Sequence, residues 1–131
     1  MRFLMDTNTC VYALKRNTSV IDRLREHSPD EVVVSIITLA ELWFGARKSG
    51  RPEANRDRID AFLKPFEVLP FDAAAAEAYA EIRLVPERSG RPIGERDLQI
   101  ASIAVARRLT VVTHNVSEFG RVPGLKVDDW V

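Results

Sequence analysis

Arg2-Phe3-Leu4-Met5-Asp6-Thr7-Asn8-Thr9 is the stretch whose reading decides the fold. A short apolar run that stops at an acid and passes straight into a helix start reads as a buried strand delivering a carboxylate to a sheet edge. Open α/β proteins place their chemistry at that edge. Asp is also a favoured N-cap, so taken alone Asp6 reads equally as the cap of a helix beginning near Thr7. More acids must join it before it marks a site.

Working outward, Thr7 to Lys15 has the apolar spacing of a short helix, and Val20, Ile21 and Leu24 repeat it over Thr18 to His27. Ser28-Pro29-Asp30 predicts a turn, and Glu31-Val32-Val33-Val34-Ser35 a strand buried on both faces. Leu39, Leu42, Trp43 and Ala46 predict a helix over Ile36 to Ser49 with Gly50 at C′. Pro52 opens another helix to about Lys64, and Phe66 to Leu69 reads as a third strand. Asp72 should cap an alanine-rich helix to about Leu84, stopped by Pro86. After the loop Arg88 to Gly94, Glu95 opens a helix through Arg108, followed by a fourth strand over Leu109 to Thr113. His114 to Phe119 is a turn or short helix, and Val127 marks a weak fifth strand. Strands separated by helices predict right-handed crossovers and a parallel sheet covered on both faces.

The length of 131 residues predicts one domain with a sizeable core. Nineteen basic and nineteen acidic side chains cancel, which excludes a global positive field, so any polyanion must be held by local charge. Cys10 is the only cysteine; an intrachain disulfide and a multi-thiolate metal site are excluded, and its place in the first helix reads as packing. No stretch reaches the roughly 18 to 20 apolar residues of a membrane span, and no signal-peptide h-region is visible, so the expected location is the cytoplasm, away from membranes.

The acids share one structural slot. Asp6 follows the first strand, Glu41 lies just beyond the second, Asp97 opens the helix before the fourth, and Asn115 follows the fourth. The C-terminal strand ends of a parallel sheet form one edge, so these groups can meet in a crevice. Carboxylates gathered there repel unless protonated or bridged by a cation, and an all-oxygen set without paired His or Cys favours Mg²⁺ or Mn²⁺.

These residues resemble the PIN-domain ribonucleases, and more closely the VapC-type toxins of bacterial toxin–antitoxin pairs. The resemblance rests on Phe3-Leu4-Met5-Asp6-Thr7-Asn8-Thr9, Leu39-Ala40-Glu41-Leu42, Gly90-Arg91-Pro92-Ile93-Gly94 with Asp97-Leu98-Gln99-Ile100-Ala101, and Val112-Thr113-His114-Asn115 with Glu118-Phe119. It implies a three-layer α/β/α domain over residues 1–131 with a mainly parallel sheet of four to five strands, acting as a metal-dependent endoribonuclease. On that analogy Asp6, Glu41 and Asp97 are the catalytic, metal-binding carboxylates. Many PIN domains carry a fourth acid where this chain has Asn115, which offers a carbonyl oxygen but no charge. Glu118 either supplies the missing charge or is an exposed helix residue. Thr7, Asn8 and Thr113 either fix the ligands' rotamers or serve as helix caps and strand-end hydrogen bonds. The resemblance further implies transfer RNA as the leading substrate, a homodimer, a cognate antitoxin whose tail blocks the crevice, and operator DNA engaged only through that antitoxin.

Other residues invite weaker readings. Arg88 and Arg91, on a loop held by Gly90 and Pro92, are candidates for RNA phosphates. His114, without a ligand partner, reads as structural, and Trp43 and Phe44 as core or interface. Glu95 lies on another helix face from Asp97. Two rivals differ in class. A haloacid-dehalogenase-type phosphatase would use Asp6 as nucleophile, but Asn8 stands where its second acid belongs. A degenerate PIN domain would bind RNA or a protein without cutting.

Overall fold

In the computed structural model, which describes residues 2–131, five strands form an all-parallel sheet in the order β3-β2-β1-β4-β5. The strands are β1 (Phe3–Met5), β2 (Val32–Ser35), β3 (Glu67–Leu69), β4 (Thr110–Val112) and β5 (Lys126–Asp128). The helices are α1 (Thr7–Leu14), α2 (Thr18–Arg25), α3 (Ile36–Arg47), α4 (Pro52–Leu63), α5 (Ala73–Ile82), α6 (Leu84–Arg88), α7 (Glu95–Arg107) and α8 (Val116–Phe119). β1 is central: Leu4 stands opposite Val33 on one side and Val111 on the other. From β1 the chain steps outward through β2 and β3, then returns across β1 to lay down β4 and β5. The reversal falls between β1 and β4, which makes the C-terminal ends of those two strands the topological switch point where open sheets bind ligands.

Successive strand residues face opposite layers, so the two buried neighbours Leu4 and Met5 feed two different cores. Leu4, Val33 and Val111 pack against Ile100, Ile103 and other α7 residues, with α5 behind them. Met5, Val34 and Val112 pack against Cys10, Leu42 and Ile59 of α1, α3 and α4. Cys10 is a fully buried packing residue, as expected. No helix among the described residues is long and apolar enough to cross a membrane.

Three local expectations need correction. α3 ends with Lys48 as its cap, so Gly50 lies beyond the C′ position. Pro86 does not stop a helix: α5 closes at Ile82, and Pro86 falls in the first turn of α6, where a missing backbone N–H costs no helical hydrogen bond. Arg88 therefore belongs to α6 and not to the following loop. The C-terminus, read as little more than a weak strand, carries Trp130 into the core: its ring stacks on His27 at 5.3 Å and its carbonyl accepts from Ser19 Oγ at 2.6 Å.

Candidate active site

Asp6 does both things the sequence allowed. It N-caps α1, with Oδ1 accepting the Thr9 N–H at 2.8 Å, and it sits at the switch point, its own N–H donating to Val112 O at 3.0 Å. It is almost fully buried. Burial raises its pKa above the usual carboxylate value, opposed by hydrogen bonds from Thr113 and Thr9, and the charge of Asp129 adds to the rise. Thr113 is itself tied into the β4 end, where its Oγ1 accepts the Asn115 N–H at 2.9 Å.

Glu41 is reached by a relay of hydroxyls. Ser35 N-caps α3 by accepting the Thr38 N–H at 3.1 Å, and the Thr38 hydroxyl stands 3.0 Å from Thr7 Oγ1. Thr7 donates in turn to Glu41 Oε1 at 2.7 Å. One carboxylate oxygen is thereby pinned, and the other, Oε2, lies 3.7 Å from Arg96 Nε. Asn8 is exposed, and its side chain makes no hydrogen bond to these acids among the described residues.

Asp97 occupies the first turn of α7. Its pKa is pushed up to about 6, first by burial and then by the negative charges of Glu118, Asp6 and Glu41. The three candidate carboxylates and Glu118 therefore share one field. Glu118 is the residue the sequence left open: Oε1 accepts the Gly94 N–H at 2.7 Å and Oε2 accepts Asn115 Nδ2 at 2.9 Å. It thus anchors the loop that presents Asp97. Asn115 also hydrogen-bonds Asp97, which lowers that acid's pKa, so one neutral amide bridges two carboxylates. Asn115→Asp should turn this bridge into a third repelling charge. We expect a lower melting temperature without metal and a larger upward shift on adding Mn²⁺; an unchanged Mn²⁺-induced shift would place Asn115 outside the site.

Other candidates sit at the margins. His114 pairs with Asp129 at 2.9 Å and meets Tyr12 edge-on at 5.9 Å. Glu95 is taken by the Tyr79 hydroxyl at 2.6 Å, on another face from Asp97. The Arg91 carbonyl accepts from Arg121 Nη1, and neither Arg88 nor Arg91 is ion-paired with the acids among the described residues. Trp43 is held by Asp60 and covered by Arg56, whose guanidinium lies 3.6 Å from the ring centroid. Phe44, by contrast, is 63% exposed. It lines a groove of about 690 Å³ that also touches Val11, Ile37, Thr7, Glu41 and Arg96. Sequence reasoning missed Thr9 and Thr38; only the S-x-x-T spacing before Glu41 hinted at Thr38 as a capped position.

The donor set suits a hard divalent cation. It is all oxygen, its acids are raised by burial and mutual repulsion, and a cation would reverse the repulsion. No three His, Cys, Asp or Glu side chains among the described residues already close into a cage.

A buried parallel sheet with acids gathered at its switch point defines the class, and the chain belongs to the PIN domain family, whose model matches residues 3–125. Its full-length relatives include VapC proteins. It is 39% identical to the tRNA(fMet)-specific endonuclease VapC of Salmonella typhimurium, across 99% of this chain and 98% of that protein. It is also 39% identical to Ribonuclease VapC2 of Rickettsia felis, with the same coverage. In structure it matches a chain of the Rickettsia felis VapBC2 complex bound to a promoter DNA fragment, with a TM-score of 0.94 and 38% identity over the whole of both chains.

Proposed function

We propose that this protein is the toxin of a toxin–antitoxin pair and acts as a metal-dependent endoribonuclease in the cytoplasm, with transfer RNA as its substrate. The observation that carries the reading is the convergence of Asp6, Glu41 and Asp97 at the switch point, with Asp97 raised to about 6 by burial and then by its acidic neighbours. Asp6 and Asp97 would hold Mg²⁺ or Mn²⁺, with Glu41 reaching it through water. The bound cation would supply Lewis-acid stabilisation of the charge that develops on the phosphate.

The chain's own groups do the rest. The Thr9 N–H and the Thr113 hydroxyl hold Asp6 in one rotamer, and Thr7 holds Glu41 by Oε1, which leaves Oε2, beside Arg96, as the oxygen that would orient an attacking water. Hydrolysis adds that water across a phosphodiester P–O bond. Glu118 keeps the loop before α7 closed on Asp97. Its charge also weakens the degenerate-domain alternative, because a fourth carboxylate remains despite Asn115. Discrete fragments from purified tRNA, dependent on Mg²⁺ and abolished by chelator, are the expected result; intact tRNA with folded, metal-bound protein would reject this substrate.

The partner reading includes a cognate antitoxin, contact with operator DNA through it, and a homodimer. The Salmonella typhimurium and Rickettsia felis structures similar to this chain are both VapBC assemblies bound to DNA. The apolar groove around Phe44 opens onto Glu41, so a segment lying in it would end over the acids. Phe44→Asp should therefore reduce co-purification with the antitoxin while tRNA cleavage persists; undiminished recovery of the complex would move the interface elsewhere.

A further inference from the structure

Arg96 is the one lysine or arginine ion-paired with Asp6, Glu41, Asp97 or Glu118 among the described residues. It projects from the first turn of α7 across the groove to α3, where its Nε lies 3.7 Å from Glu41 Oε2. The two partners differ in freedom. Glu41 is 27% exposed and fixed through Oε1 by Thr7, whereas Arg96 is 70% exposed, and its other guanidinium nitrogens have no partner among the described residues. The pairing therefore sits on the oxygen of Glu41 that Thr7 leaves free. An exposed pair of this kind is weak and easily exchanged.

We infer that Arg96 is a built-in counter-ion of the acid crevice: it occupies Glu41 when no metal is present, a divalent cation displaces it, and the released guanidinium then binds a phosphate of the substrate strand. The exchange follows from charge. A divalent ion held by Asp6 and Asp97 draws Glu41 toward itself and repels the guanidinium, whose planar fork suits a phosphate. Arg96 is then a substrate-binding residue. This inference rests on the metal-site reading proposed above.

The test is calorimetric Mn²⁺ titration of antitoxin-free wild type and Arg96→Gln, followed by steady-state tRNA cleavage in Mg²⁺ at several salt concentrations. Gln is a good helix former at an exposed position, so the variant should fold. Without RNA, Arg96→Gln should bind Mn²⁺ about two- to fivefold more tightly, since an exposed competing pair is lost. With RNA its KM should rise while kcat holds, and the salt dependence of log KM should become shallower by about one contact. Arg96→Lys should restore most of the KM. Equal Mn²⁺ affinity in wild type and Arg96→Gln would overturn the counter-ion role alone, while no Mn²⁺ binding by either would overturn the metal site with it. Tighter metal with unchanged KM and salt slope would overturn the transfer to phosphate.

Discussion

Asp6→Asn should lower tRNA cleavage by about 10³-fold or more, the scale expected when a charge that stabilises the transition state is removed. The same change should raise the melting temperature of the metal-free protein. Both follow from the position of one side chain. Asp6 is buried, its pKa is raised chiefly by desolvation, and its Oδ1 caps α1 through the Thr9 N–H. Asn keeps that acceptor and caps helices as well as Asp does, so α1 stays anchored. What disappears is a buried negative charge near Asp97 and Asp129, which costs stability whenever no cation is present. The measurement pairs a tRNA cleavage time course with thermal melts in chelator, using wild type and variant from the same preparation. Near-normal cleavage by a folded variant would remove Asp6 from the chemistry. A lowered melting temperature would show that the charge contributes more to the cap than it costs by burial.

The legible part of this molecule is what the strand and helix periods control. β1 read as a buried strand, β2 as a run buried on both faces and β4 as a fourth strand, so Asp6 and Asn115 could be placed at strand ends without a structure. Glu41 followed because α3 begins at the end of β2 and keeps its first turns near that edge, and Asp97 because α7 leads into β4, which puts its first turn beside the edge where β4 finishes. What escaped the sequence depends on side-chain reach across elements. The donation from Thr7 to Glu41 joins α1 to α3, and the grip of Glu118 on the Gly94 N–H joins α8 to the loop before α7. Neither has a local sequence signal. Trp130 was invisible for a related reason: its burial comes from His27, Phe3 and Ser19, all more than a hundred residues away in the chain. Pro86 misled because proline forbids a helix interior but fits a first turn equally well.

Metal affinity should fall about tenfold for each pH unit below about 6, because a cation binds ionised Asp97 and must expel its proton. Burial raises Asp6 as well, which can only steepen that fall. Calorimetric Mn²⁺ titrations of antitoxin-free protein at pH 5, 6 and 7 would measure the slope on the order of one proton per ion, as linkage requires. Stability without metal should move in the opposite direction. The unfolded chain releases the Asp97 proton near the ordinary value of 3.8, whereas the folded chain holds it until about 6. Between those two values the native state binds more protons than the unfolded state, so stability declines as pH rises through the window and levels off above it. Asp97→Asn removes the titrating group, and the decline should flatten in that variant, leaving it more stable than wild type at pH 7 and inactive. The two curves cross for a physical reason: the acids that repel one another in the empty crevice are the ones that a cation needs ionised. A metal affinity that stayed flat between pH 5 and 7, with the same melting profile in wild type and Asp97→Asn, would mean that Asp97 lies outside the shared field and outside the site.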